Sequence, residues 1–416
     1  MKFGIFYELQ LPRPWQSGDE NRLFQDALDQ IEIADKLGFD YVWEVEHHFL
    51  EEYSHSSAPE VFLGAVSQRT KNIRLGHGIV QLPFQFNHPV RVAERIATLD
   101  LISNGRVDFG TGESSSEVEL QGFNVNREHK RDEWRESLDA ITKMMVESPF
   151  SGYNGNFFSM PPRNIVPKSV QKPHPPLWVA CSRRETIHLA ATLGIGALSF
   201  SFIEPEEAKA WVDDYYETIK SENCVPAGFS VNAQVACVIP LMCHKDEETA
   251  IERGLDGGHF FGYSLAHYYV FGDHTPGKTN ISEEFEKNRA LFGFSRQVAA
   301  TKGEVLGAQI INDGTKALRG AIGTPDQILD LVSRYEAVGV DQLIFVSQCG
   351  RNKSEHIIES LQLFASEVMP SFKERQLQID QKKESELEPF VASALKRREP
   401  ARKSDLNFSI PASMKI

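Results

Sequence analysis

The sequence predicts an α/β fold, a (β/α)8 TIM barrel with a long lid-like insertion and a charged C-terminal extension. Two observations predict it. Three stretches share one pattern: KLGFDYVWEV at 36–45, TLGIGALSFS at 192–201 and AVGVDQLIFV at 337–346. Each joins a helix-like run to a Gly and then to a short apolar run. Five further strand candidates, KFGIFY (2–7), IRLGHGIV (73–80), RVDFGTG (106–112), PLWVA (176–180) and FSVNAQVACVIP (229–240), bring the number to eight. Helix-like segments separate most of them. Eight alternating units close a parallel barrel. A doubly wound open sheet is the structural alternative, but no GxGxxG follows the first strand.

Each element has a local reason. The opening MKFGIFYELQLP alternates apolar and polar residues, which reads as a strand and not as a signal peptide. Leu23, Phe24, Ala27, Leu28, Ile31, Ala34 and Leu37 then recur at three- and four-residue spacing, one apolar face of a helix. Gly38 can take the left-handed conformation that ends a helix. The run after it is too short for a helix and fits a strand buried on both faces. Gly76 and Gly78, inside the next strand, allow close backbone approach or a bulge. Further helices are expected after His88-Pro89, over 134–146 and over 325–335.

Two regions stand apart. Residues 253–305 exceed a normal connection and mix Gly257, Gly258, Gly262, Gly272 and Gly277 with Phe260, Phe261, Tyr263, Tyr268 and Tyr269. They are expected to form a lid hinged at glycines. After Pro370 the chain is highly charged and reads as a surface helix followed by an extended arm that a partner subunit would order. The expected division is a barrel over 1–375, with 253–305 within it, and an extension over 376–416.

The chain has 416 residues, 58 acidic against 44 Lys and Arg, and a net charge of −14. Such a surface argues against nucleic acid or an anionic membrane as partner. No apolar run is long enough to span a bilayer. The five cysteines are widely spaced and contain no CxxC pair, so neither a disulfide framework nor a zinc site is suggested. The cytoplasm is the default compartment.

In a barrel, function gathers where strands end. Glu46, His47 and His48 follow the second strand in YVWEVEHHF. Imidazole is the natural proton carrier near neutral pH, although loop histidines can simply bond to backbone carbonyls. Zinc is disfavoured, because adjacent side chains of an extended segment diverge. Gly112 and the serines after it could cradle a ligand. Ser182, Arg183, Arg184, Glu185 and Thr186 open a helix, where free N–H groups, hydroxyls and guanidinium groups make an anion site. The plain alternative is a capping box with Ser182 as N-cap and Glu185 at N3. Arg131 is a second candidate for the same anion.

These segments carry a resemblance over roughly residues 1–375. MKFGIF, Trp43–Phe49, the Gly76–Glu94 segment, LDLISNGRVDFG (99–110), IGTPDQ (322–327), VGVDQL (338–343) and ESLQLFASEVMPSFKE (359–374) resemble the bacterial luciferase-like flavin-dependent monooxygenases, closely the luciferase subunits. The resemblance implies a (β/α)8 barrel that binds FMN in a homodimer. It implies His47 as the catalytic histidine and Arg131, Ser182 and Thr186 around the FMN phosphate. It also implies a non-prolyl cis peptide at Gly78–Ile79 against the isoalloxazine, with Phe200 beside the ring. Gly112 and Glu113 stand where luciferase α subunits have a reactive Cys and a phosphate-binding Arg; Arg183 or Arg184 could restore that charge. The implied reaction takes reduced FMN from a separate NAD(P)H–flavin reductase and O2. It oxidises a small apolar organic substrate through a flavin C4a-hydroperoxide. A deazaflavin (F420-type) hydride-transfer enzyme and a non-catalytic flavin-binding protein are the alternatives.

Overall fold

The computed structural model describes residues 1–199, 204–296, 318–403 and 409–412. Its strands are β1 (Lys2–Tyr7), β2 (Tyr41–Glu44), β3 (Arg74–His77), β4 (Val80–Gln81), β5 (Val107–Gly112), β6 (Tyr153–Asn154), β7 (Ser159–Met160), β8 (Leu177–Cys181), β9 (Gly196–Ser199), β10 (Val235–Cys243), β11 (Ala321–Gly323) and β12 (Gln342–Gln348). In order β1, β2, β3, β5, β8, β9, β10 and β12 pair in parallel, and β12 returns to β1. The sheet is therefore the closed eight-stranded barrel expected from sequence. The antiparallel β6–β7 pair and the short β11, which pairs with β10, were not anticipated. Runs of two or three residues leave no readable period.

The repeated joint works as its glycines predict. Gly38, Gly194 and Gly339 all have positive φ, of 88°, 61° and 90°. At the first, the helix α1 (Asp19–Leu37) ends with the Gly38 N–H on the Ala34 and Asp35 carbonyls. The chain can then turn at once into the next buried strand.

Inside the barrel, Trp43 and Trp178 meet edge to face at 5.2 Å. A Cβ on Gly76 would overlap Trp43, and one on Gly196 would overlap Trp178. The close approach that Gly76 allows is thus taken up by the protein's own indole. Beyond it the third strand bulges. Gly76 pairs with Asp108 and Val80 with Thr111, so three residues lie opposite two. Here Gly110 packs directly beneath the His77 carbonyl.

Helices α2 (Pro59–Arg69), α3 (Pro89–Ile102), α4 (Glu117–Gly122), α5 (Lys130–Val146), α6 (Arg184–Thr192), α7 (Pro205–Lys220), α8 (Glu247–Ala266) and α9 (Ile281–Asn288) follow in the chain. The helices Pro325–Ala337, Ser354–Glu367 and Pro370–Arg397 complete the described set. The last contains the 375/376 boundary and buries Phe372, Leu387 and Ala394. It crosses the end of the barrel where strands begin. Lys373 pairs with Asp40, before β2, and Lys383 with Asp341, before β12. Arg397 donates to the Cys224 and Ser221 carbonyls at 2.9 and 3.1 Å. Arg398 pairs with Asp139 at 3.0 Å. The helix and the start of the arm thus find partners on their own barrel, because its acidic loop ends match their cations. No helix among the described residues is long and apolar enough to cross a membrane.

The 253–305 segment is built differently from a glycine-hinged loop. Residues up to Ala266 belong to α8, which continues into a π-helical turn, His267–Phe271. Gly257 lies against Asn352 and Cys349, Gly258 against Pro240, and Gly262 against Phe294. These glycines let α8 pack closely; they are not hinges. Residues 297–305 of this segment lie outside the described set.

The bulge should be intolerant of a side chain. Gly110→Ala, with a rigid carbonyl as its neighbour, is expected to lower unfolding free energy by about 3 kcal/mol in urea denaturation, the upper range for overpacking. Gly64→Ala, in helix α2 with open space around it, is the control and should be neutral or stabilising by up to about 1 kcal/mol. Equal effects at both sites would show that the bulge backbone can yield.

Candidate active site

Parallel strands place all their C-terminal ends on one face. Glu8 follows β1, Glu46 to His48 follow β2, Gln81 closes β4, and Glu119 sits on α4 beyond β5. These segments converge on His47.

The His47 Nδ1 lies 3.0 Å from Glu119 Oε1, and its side chain is 16% exposed. The same carboxylate accepts the His48 N–H at 2.9 Å, Gln81 Nε2 at 2.8 Å and the Ser114 hydroxyl at 2.6 Å. On the other side His47 Nε2 is 3.7 Å from Glu8 Oε2. Glu8 Oε1 accepts the Tyr53 hydroxyl at 2.7 Å, while Oε2 is buried without a hydrogen-bond partner. Tyr269, from the π-helical turn, brings its hydroxyl to 3.5 Å from His47 Nδ1.

Electrostatics follow from this arrangement. Burial by itself would lower the His47 pKa, but Glu119 first and then Glu8 raise it to about 9. Burial raises Glu8 to about 7, against the opposing pull of His47 and Tyr53. Burial also acts on Glu119, yet His47 and four hydrogen bonds hold it below the ordinary carboxylate value. Near neutral pH the site therefore carries a protonated imidazole between one firm carboxylate and one that titrates.

His48 turns elsewhere. Its Nε2 meets Glu46 Oε1 at 3.1 Å, and its ring packs on Phe86 and Phe123. Glu46 is fixed by the Gln81 N–H at 2.8 Å and Asn87 Nδ2 at 2.7 Å. The first and third residues of Glu46-His47-His48 thus form a brace that aims the middle one. Among the described residues no group of three or more His, Cys, Asp or Glu is arranged to hold a metal ion.

The anion-binding candidates belong to neighbouring units of the barrel: Arg131 opens α5 and reaches the residue after β5, and Ser182 follows β8, which pairs with β5. Arg131 is 53% exposed and reaches Glu113 at 3.2 Å. Ser182 and Arg183 are exposed and Thr186 is half-buried. The expected capping box is shifted by one residue. Arg183 is the N-cap, and Thr186 Oγ1 accepts its N–H at 3.2 Å and donates to its carbonyl at 2.6 Å. Helix α6 begins at Arg184, so Thr186 and not Glu185 falls at N3. Arg184 is drawn to Asp214 at 3.4 Å. Gly112 and Ile79 are in contact, with the Ile79 side chain filling the space of a Gly112 Cβ. The cis peptide expected at Gly78–Ile79 is not found; among the described residues the cis bonds all precede prolines, at 14, 149, 167 and 173. A secondary amide favours trans by roughly 3 kcal/mol, and Gly78 N–H already donates to the Glu44 carbonyl at 2.7 Å. Phe200 lies outside the described residues.

Sequence reasoning missed Glu8, Tyr53, Gln81 and Glu119, and named Tyr269 only among the aromatics of the 253–305 segment. Glu8 carried a readable signal, a carboxylate at the end of the first strand, and Tyr53 lies in the loop that carries His47. Gln81, Glu119 and Tyr269 come to the site only through the closure of the barrel.

The family model for luciferase-like monooxygenases matches residues 1–342. The chain belongs to the luciferase-like monooxygenase family. Among relatives, it is 26% identical over 381 residues to the oxygenase component of the flavin-dependent trigonelline monooxygenase of Acinetobacter baylyi, spanning 90% of this chain and 96% of that one. It is 25% identical over 384 residues to the alkanal monooxygenase alpha chain of the Kryptophanaron alfredi symbiont, spanning 90% and 99%. A shorter match, 33% identical, to an uncharacterised Sinorhizobium fredii protein spans 47% of this chain and 54% of that one. The fold is shared with solved structures. A Streptomyces bottropensis monooxygenase superposes with TM-score 0.69 at 24% identity, covering 89% of this chain and 100% of that one. The oxygenating constituent of 3,6-diketocamphane monooxygenase from Pseudomonas putida, in complex with FMN, gives 0.65 at 19%, covering 89% and 98%. The coenzyme F420-dependent tetrahydromethanopterin reductase of Methanopyrus kandleri gives 0.59 at 21%, covering 89% and 99%. Luciferase-like barrels thus include both flavin and deazaflavin enzymes.

The buried acid of this luciferase-like site should be visible in stability. Folding raises Glu8 from 4.5 to about 7 and His47 from 6.5 to about 9. Both raised values mean that folding takes up protons, so stability falls with rising pH. The Glu8 contribution is complete below about 4.5 and lost through 7; that of His47 is complete below about 6.5 and lost through 9. Glu8→Gln should flatten the decline of Tm between pH 5 and 7. A slope unchanged from wild type would mean that Glu8 is ionised throughout.

Proposed function

We propose that the chain is the oxygenase of a two-component, FMN-dependent monooxygenase. It would take reduced FMN from a separate NAD(P)H–flavin reductase and use O2 to oxidise a small apolar organic molecule. One observation carries the reading: in a luciferase-like chain, His47 stands at the barrel mouth between two carboxylates, its Nδ1 3.0 Å from Glu119 and its Nε2 3.7 Å from Glu8. The trigonelline enzyme's description as an oxygenase component supports a separate reductase, and the FMN complex of the diketocamphane enzyme supports the cofactor.

The residues present suit such a cofactor. Lys130 and Arg131, which open α5, and Ser182, Arg183 and Thr186, around the start of α6, are the kinds of donor a phosphate needs. Gly112, Gly78 and Ile79 border the bulge that faces the same end of the barrel. When bound, reduced FMN supplies the reaction with O2 that no side chain can perform. The chain's own task is proton control and exclusion of water. His47 would donate from Nε2 to an oxygen of the bound reactants, with Glu119 stabilising the imidazolium and Glu8 returning the proton. Residues 253–305 would act as the lid. Glu51 accepts the Gly277 N–H at 2.7 Å and Glu52 the Ile281 N–H at 2.6 Å, tying the segment to the loop after His47.

Anaerobic titration with reduced FMN, reduced riboflavin and reduced F420, followed by O2, tests the cofactor. Tightest binding of FMN, with reoxidation altered by the protein, is expected. Preference for F420 with reoxidation unchanged would select the deazaflavin reading. Arg131→Ala should weaken FMN about ten- to a hundred-fold, from a charge-assisted contact of roughly 1.5–3 kcal/mol, and leave riboflavin unchanged. His47→Ala should keep FMN affinity while product formation from 18O2 drops roughly 100-fold, the scale for losing an acid–base group. Undiminished product formation would remove His47 from the chemistry. Tyr269→Ala should keep FMN affinity but divert O2 to H2O2, as water enters beside His47. Full coupling in that variant would refute the lid.

A further inference from the structure

Glu113 is the residue after β5, and its carboxylate does something unusual for a site meant to hold an anion. Oε1 lies 3.1 Å from Lys130 Nζ and 3.2 Å from Arg131 Nη2. Oε2 is buried without a hydrogen-bond partner. Lys130 is 13% exposed on its side chain and also donates to the Ser114 carbonyl at 2.6 Å, so it is anchored. Arg131 is more than half exposed. Both cations near the end of β5 are thus already matched by one internal charge, and the hydroxyls of Ser182 and Thr186 stand around the start of α6, beyond the neighbouring strand β8.

We propose that Glu113 is a built-in counter-anion that competes with the cofactor phosphate for Lys130 and Arg131, so that FMN is held loosely and exchanges readily. This rests on the phosphate reading given above. A dianion approaching Arg131 must displace or face the Glu113 carboxylate, and like charges a few ångströms apart near a protein surface repel on the scale of a tenfold change in affinity. Riboflavin, lacking the phosphate, is blind to this contest. Loose binding fits an oxygenase that must accept reduced flavin from a second protein and release it oxidised.

The test measures affinity and dissociation rate for FMN and riboflavin by flavin fluorescence, in wild type, Glu113→Gln, Glu113→Ser and Arg131→Ala. Thermal melting of each variant serves as the folding check. Both Glu113 variants should bind FMN about ten-fold more tightly, release it correspondingly more slowly, and bind riboflavin as wild type does. FMN affinity unchanged or weakened in the folded Glu113 variants would overturn the proposal. If Arg131→Ala weakens FMN selectively while both Glu113 variants leave it unchanged, the counter-anion idea alone fails. If Arg131→Ala affects FMN and riboflavin equally, the phosphate reading beneath it fails as well.

Discussion

A buried charge must be paired, and at His47 that requirement organises one end of the molecule. An imidazolium with little exposure is costly unless carboxylates and hydrogen bonds compensate it. Glu119 provides the compensation, and it can do so only because the His48 N–H, Gln81 and Ser114 hold it in place. Those three come from the β2 loop, from β4 and from the loop before α4. The bulge in the third strand is part of the same device, since Gln81 lies just beyond it. Close backbone packing at Gly110 makes the bulge possible. A local change in any of these segments is therefore felt at the imidazole.

The two ends of the barrel manage charge in opposite ways. At the strand starts, cations of the C-terminal helix meet acidic groups of the loops, mostly near water, where such pairs contribute modestly. Their role is to dock a helix that buries few apolar side chains. Around His47, at the strand ends, the charges are enclosed, so each one alters its neighbours' protonation. Glu8 and His47 illustrate the second case. Burial carries Glu8 up to about 7, into the range in which proton transfer is useful, while Glu119 and Glu8 carry His47 up to about 9 and so keep it protonated.

The segment over the mouth shows how composition can mislead. Its glycines read as hinges, but Gly254, Gly257, Gly258 and Gly262 lie in α8, where they let the helix approach Met242, Asn352, Pro240 and Phe294. Its aromatics turn toward the site: Tyr269 reaches His47, and Tyr268 and Phe261 pack on Tyr53. Close helix packing and hinge motion both favour glycine, so residue type cannot separate them; the neighbours can.

The sequence by itself determined the barrel. Helical spacing before Gly38, the recurrence of that joint at Gly194 and Gly339, and eight short apolar runs are local signals, and local signals survive without a partner. It also singled out His47, because a strand end followed at once by acid–base side chains is readable in one dimension. Only the tertiary structure decided which groups surround that histidine. Glu119 lies 72 residues away and Tyr269 222 residues away along the chain. Closure of the sheet brings β1, β2 and β5 together at one rim, and no periodicity encodes that meeting. The same reason hid the roles of Gly76 and Gly110. Whether a glycine makes room for a ligand, an indole or a neighbouring carbonyl depends on what the fold sets against it.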